Sequence, residues 1–116
     1  MSVTPEQVEK RLLELSKEVD EAHEKLRQAD SVLVEKEHAF KKNMAEARVR
    51  LSHSDHKMRV QEIDDRALLI NEVQHFEYLT AQHMVRAAKS NADRVDTQVQ
   101  IAQSVGASVR ASLTIG

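Results

Sequence analysis

Basic side chains gather in the middle of this chain, where they could contact phosphate groups or an acidic protein surface. Residues 40–60 carry six lysines and arginines against two acids, a balance of +4, whereas residues 1–39 and residues 61–85 each balance −4. A local excess of positive charge is typical of surfaces that bind polyanions. The candidate nucleic-acid-binding residues are Lys41, Lys42, Arg48, Arg50, Lys57 and Arg59. A solvated helix end explains the same pattern, so nucleic-acid binding is an alternative and not the leading interpretation.

The six histidines raise the question of a metal site. Glu72 and His75 have the Glu-x-x-His spacing of di-iron bundles, and His53 and His56 lie three residues apart. One such motif is not sufficient for a site, and the chain has no cysteine to add a thiolate. We therefore predict no bound metal and no cofactor. A carboxylate–histidine metal site formed across an oligomer axis is the alternative.

Motifs of catalysis are missing from the sequence. It has no nucleophile elbow, no phosphate-binding glycine loop and no paired carboxylates at an identifiable cleft. The neighbouring acids Asp64 and Asp65 are typical of a solvated helix surface. We predict that the protein is not an enzyme.

The composition indicates which elements position these side chains. Two glycines and one proline in 116 residues exclude turn-rich folds, and 31% charged residues with a mean hydropathy of −0.54 favour long amphipathic helices. No apolar run approaches the roughly 18 residues that span a membrane, and no signal peptide opens the chain. We expect a cytoplasmic protein without membrane contact.

A first helix is predicted over residues 5–51. Thr4 can cap it, Pro5 suits its first position, and Gln7 can reach back to the cap. Apolar residues then alternate at spacings of four and three, the period of a coiled-coil seam. The seam residues are Val8, Leu12, Leu15, Val19, Ala22, Leu26, Ala29 and Leu33, followed by Phe40, Met44, Ala47 and Leu51.

A polar turn over residues 52–55 precedes a second predicted helix over about 56–105. Ser54 or Asp55 can cap this helix, and Gly106 is predicted to end it. Its predicted seam is Val60, Ile63, Ala67, Ile70, Val73, Phe76, Leu79, Met84, Ala88, Ala92, Val95, Val99 and Ala102. Residues 1–106 then form an antiparallel hairpin that reverses near residues 53–54, with Val8 facing Val99 and Ala47 facing Val60.

Apolar residues outside the seams predict self-association. One partner helix cannot cover three successive apolar residues, and two valines of the first helix also lie off its seam. The candidate oligomer-interface residues are Leu68, Leu69, Ile70, Val32 and Val34. The predicted fold class is all-α: a long antiparallel helical hairpin (coiled coil) that assembles into a dimeric four-helix bundle or a larger oligomer. Exposed aliphatic residues on an ordinary surface are the alternative.

Residues 107–116 differ in composition from the rest of the chain, because they are small, weakly apolar and almost uncharged. We predict a C-terminal docking tail that packs on the bundle, completes an oligomer or binds a protein partner. Its candidate residues, with one from the preceding turn, are Val105, Val109, Arg110, Leu113 and Ile115.

Two segments carry a resemblance to known proteins. Residues 94–113, RVDTQVQIAQSVGASVRASL, resemble the ending of small helical proteins encoded by actinobacterial phages, and residues 8–23, VEKRLLELSKEVDEAH, are similar to their beginning. The genes that encode those proteins often lie among replication and recombination genes. The resemblance implies a phage accessory protein in the host cytoplasm, with a phage or host protein as partner.

The leading hypothesis is a non-enzymatic, self-associating helical interaction protein that assists phage DNA replication, recombination or host takeover. The alternatives are direct nucleic-acid binding through the basic turn end and a scaffold or chaperone role in virion assembly.

Overall fold

A computed structural model describes residues 3–54 and 57–115, with the side chain of Ile115 outside the description. Over these residues the chain forms three helices and no strand: α1 (Pro5–Ser52), α2 (Val60–Ile70) and α3 (Glu72–Ile115). The all-α class predicted from the composition is confirmed.

The start of α1 follows the predicted capping pattern. The backbone N–H of Gln7 donates to Thr4 Oγ1 at 3.2 Å, and the backbone N–H of Thr4 donates to Gln7 Oε1 at 3.0 Å. Both groups satisfy donors that the first helical turn leaves without partners. Pro5 occupies the first helical position, where its missing N–H costs nothing.

The end of α1 is made without glycine. The hydroxyl of Ser52 donates to the carbonyl oxygen of Val49 at 2.8 Å, and that of Ser54 donates to the carbonyl oxygen of Leu51 at 2.8 Å. Serine hydroxyls therefore donate to two carbonyls of the last turn. In many helices a C-terminal glycine lets backbone N–H groups bond these carbonyls instead.

The second predicted helix differs from the structure at both ends. Arg59 is the N-cap residue of α2, so the predicted cap at Ser54 is wrong; Asp55, the other predicted cap, lies outside the described residues. Gly106 does not end a helix, because α3 continues through it to Ile115. A helix-ending glycine adopts positive φ, and no glycine in the described ranges does so. Residues 107–115 are thus the last turns of α3.

Asn71 separates α2 from α3. Its backbone N–H donates to the carbonyl oxygen of Ala67 at 3.1 Å, and its own carbonyl accepts from the N–H of His75 at 2.8 Å, so helical hydrogen bonding continues past the break. The Asn71 side chain also donates to the Ala67 carbonyl, at 2.9 Å. A short amide side chain that competes for backbone carbonyls accounts for a break without glycine or proline.

The chain divides into two compact units. One contains residues 1–27 and 86–116, and the other contains residues 28–85. In the first unit Ala22 clusters with Ala92 and Val95, while Val8 lies against Gly106. Because numbers fall along α3 as they rise along α1, these two segments are antiparallel.

The second unit, residues 28–85, is also an antiparallel pairing with its own core. Met44, Ala47 and Ala67 form a buried cluster, against which Phe40 and Leu51 pack. Across the described part of the chain, every residue of the predicted α1 seam is buried or half-buried. The predicted face of α1 is therefore correct.

The observed register differs from the predicted register by one heptad. Val8 lies against Gly106 rather than Val99, and Ala47 clusters with Ala67 rather than Val60. A shift of seven residues keeps the same helix faces together, so the apolar pattern of the seams does not distinguish the two registers.

Candidate interaction surface

Small residues dominate the buried seam of α2 and α3. Its buried positions are Ala67, Asn71, Ala81, Ala92, Val95 and Gly106. The predicted seam is wrong for several of its largest members, because Ile70, Val73, Phe76, Leu79 and Met84 are exposed. Small side chains let two helix backbones approach closely, and the large apolar residues predicted for that contact therefore lie outside it.

The large apolar residues of this region form a second stripe on the outside. Leu69, Val73 and Phe76 are 72%, 65% and 71% exposed, and their spacings of four and three repeat the coiled-coil period. This alternation is the sequence signal that identifies Val73 and Phe76, predicted for the buried seam, as further interface candidates.

One lateral face of the residue 28–85 unit is marked by an ion pair between its helices. Lys36 Nζ lies 3.3 Å from Glu77 Oε2, and both side chains are partly exposed. Met84 stands seven residues after Glu77 and therefore lies on the same side of α3. Ile70, the last residue of α2, stands seven residues before Glu77, and the helical hydrogen bonds that continue past Asn71 keep it on about that side.

Two valines extend this surface. Val73 precedes Glu77 by four residues, and Val32 precedes Lys36 by four residues, so each lies one turn away on the same side. Both valines are exposed. We call this surface the Glu77 face; it consists of Val32, Lys36, Ile70, Val73, Glu77 and Met84.

A different lateral face carries the remaining predicted interface residues. Arg48 Nε lies 2.8 Å from Asp64 Oδ1. Arg48 follows Lys36 by twelve residues, which turns α1 by about 120° from the Glu77 face. Val34 precedes Arg48 by two heptads and shares its side.

The five predicted interface residues are therefore divided. Val32 and Ile70 belong to the Glu77 face. Leu68 follows Asp64 by four residues and lies with Val34 on the Arg48 side, while Leu69 lies in the outer stripe.

The six candidate basic residues also differ in their surroundings. The Lys41 ammonium donates to Glu37 Oε1 at 2.6 Å, and this hydrogen-bonded carboxylate raises the pKa of Lys41. Arg48 is paired with Asp64, as above. The other four are exposed and form no ion pair with any residue in the described ranges: Lys42, Arg50, Lys57 and Arg59.

Two of the described histidines contact side chains of the facing helix. His23 Nε2 lies 3.3 Å from Asp96 Oδ1, and the His75 ring stacks on Phe40 with a centroid separation of 5.1 Å. Within residues 3–54 and 57–115 there is no group of three or more side chains that could hold a metal ion. His56 lies outside these ranges.

The predicted docking residues near the C-terminus lie on α3 in the residue 1–27 and 86–116 unit. Val109 is half-buried and lines a groove with Pro5, and Val105 lines an apolar groove with Val3. The others are Arg110 and Leu113, which are exposed, and Ile115, whose side chain lies outside the described part. This segment packs along the start of α1 as helix.

Comparisons with known proteins gave no relatives. No protein-family model matches the sequence, and neither curated proteins nor solved structures gave a significant match. Among the described residues, no helix is long and apolar enough to cross a membrane.

Proposed function

We propose that this protein is a non-enzymatic helical interaction protein that self-associates through the Glu77 face and the adjoining outer stripe of residues 28–85. Pairing two such units forms a four-helix bundle. The phage accessory role implied by the resemblance in the sequence is the cellular setting that we propose for this assembly.

The observation that carries the proposal is the distribution of side-chain size. The buried seam of α2 and early α3 contains Ala67 and Ala81, while Leu69, Val73 and Phe76 are exposed. Burying one large apolar side chain contributes about 1.5–3 kcal/mol. A regular stripe of such side chains along successive helical turns is typical of a surface that another helix covers.

Two valines of equal exposure provide a matched test. Val73 and Val34 are 65% and 68% exposed, both lie in residues 28–85, and they stand on different sides. We expect Val73→Lys to shift the chain to its monomer mass in size-exclusion chromatography with light scattering. Val34→Lys should leave the mass of the assembly unchanged.

This comparison distinguishes disruption of the Glu77 face from a general effect of adding a lysine to the surface. Equal loss of association in the two variants would contradict the assignment to the Glu77 face. Circular dichroism of both variants controls for loss of helix, because each lysine replaces an exposed residue.

Nucleic-acid binding is the second candidate function, supported by the four exposed cations named above, which form no ion pair within residues 3–54 and 57–115. It predicts an affinity that falls steeply with salt, because bound phosphates release counterions. Lys42→Glu with Arg50→Glu should reduce the salt slope measured by fluorescence anisotropy with a labelled oligonucleotide. Absence of binding at low salt would remove this candidate and leave the virion scaffold as the remaining alternative role.

A further inference from the structure

We infer that a second copy of this chain docks antiparallel on the Glu77 face, with a two-fold axis at the Lys36–Glu77 ion pair. This inference rests on the proposed self-association and specifies its partner and geometry. The symmetry of the face and the charge of the two ends of the unit support this arrangement.

Two apolar residues of α2 and α3 lie at equal distances on either side of Glu77. Ile70 lies seven residues before it and Met84 lies seven residues after it, and both are exposed. A two-fold interface brings one surface patch against its own copy. With the axis at Glu77, Ile70 therefore packs against Met84 of the partner subunit.

The ion pair at the centre of the face is complementary to a second copy of itself. Lys36 and Glu77 already form an ion pair within one chain, at 3.3 Å. Two copies related by the axis place two lysines and two glutamates together with no net charge. Each carboxylate then has cations on both sides, which offsets the repulsion between the two glutamates.

The ends of the residue 28–85 unit favour the antiparallel direction. The end that contains the connection between α1 and α2, residues 40–74, balances +1, whereas the other end, residues 28–39 and 75–85, balances −3. A parallel pair places the two positive segments side by side, but an antiparallel pair places each beside a negative one. Electrostatic complementarity of this kind selects orientation.

Cysteine cross-linking tests the direction directly, because the natural chain contains no cysteine. We would prepare Ile70→Cys and Met84→Cys chains separately and oxidise each alone and as an equimolar mixture. In the antiparallel pair, two copies of Cys at one of these positions lie about 21 Å apart along the helix, too far for a disulfide. Only the mixture should move from the 13.2 kDa band to twice that mass in non-reducing electrophoresis.

The controls distinguish this inference from the function on which it rests. A Val34→Cys chain should remain uncross-linked, alone and in mixture with either partner. Efficient cross-linking of Ile70→Cys with itself would overturn the antiparallel arrangement and leave self-association intact. If the wild-type chain is dimeric in solution, no cross-linking in the Ile70→Cys and Met84→Cys mixture would overturn the assigned face. A monomeric wild-type chain would overturn the proposed function as well.

Discussion

The side-chain amide of Asn71 donates a hydrogen bond to the backbone carbonyl oxygen of Asn43 at 3.3 Å, across the seam of the residue 28–85 unit. Asn71 is buried, and the same amide lies 3.7 Å from Met44 Sδ. A slip of one heptad retains the apolar contacts of the seam but loses this bond. A buried asparagine is a known way to specify the register of paired helices.

Replacing Asn71 with leucine should allow more than one register. The change removes the polar contact and adds apolar surface, so we expect unchanged or higher resistance to urea together with mixed pairing. Spin labels at the exposed positions Ala45 and Asp65, diluted with unlabelled chain, should give one distance in the parent protein. In Asn71→Leu a second population should appear, displaced along the helix by about 10 Å.

The control for this measurement is Asn91→Leu in the other unit. Asn91 is half-buried and accepts a hydrogen bond from Arg94 at 2.9 Å, so the change has the same chemistry outside the residue 28–85 seam. A single unchanged distance in Asn71→Leu would show that this amide does not set the register.

Gly106 is a second place where one residue restricts another. A Cβ added to Gly106 would stand 3.0 Å from Val8 Cγ1, which is tighter than nine in ten real Cβ contacts. Alanine in a helix interior is favoured over glycine by about 0.5–1 kcal/mol, but Val8 is β-branched and cannot easily turn away. We expect Gly106→Ala to give no net gain in the free energy of unfolding.

Removing the opposing methyl groups should restore the gain. In a Val8→Ala background, Gly106→Ala should stabilise the protein by about 1 kcal/mol. Urea unfolding of the four chains at one concentration completes the double-mutant cycle. Equal effects of Gly106→Ala in both backgrounds would mean that the two residues do not constrain each other.

The capping hydroxyl of Thr4 offers a local test of helix initiation. Thr4→Ala should lower the free energy of unfolding by about 1 kcal/mol, because the N–H of Gln7 loses its acceptor. Thr97→Ala is the control, since Thr97 Oγ1 only donates to the Asp93 carbonyl within α3 at 3.0 Å. Alanine should be neutral or slightly stabilising there. Equal losses at both sites would exclude a capping contribution.

Much of α1 could be predicted because its local signals agree. The Thr4 cap, Pro5 and a seam of regular period all indicate one helix, and the seam residues are buried or half-buried as expected. The second helical segment carries two competing stripes. Its large residues, such as Phe76, form one stripe, and its small residues, such as Ala67, form the stripe that is buried.

The register could not be read from the apolar pattern for a physical reason. Pairings that differ by seven residues bring the same faces together, so polar and steric contacts decide between them. Asn71 with Asn43, Lys36 with Glu77, and Gly106 with Val8 are such contacts. The amino-acid sequence alone predicts Ile70 and Leu69 as interface residues, but only the fold assigns them to particular sides of the residue 28–85 unit.

Sedimentation equilibrium of the wild-type chain over a dilution series tests self-association most directly. The assembly proposed here predicts a mass of twice the 13.2 kDa chain, or a higher multiple, that falls towards 13.2 kDa on dilution. A mass of 13.2 kDa at every concentration, with the helix content intact, would contradict it.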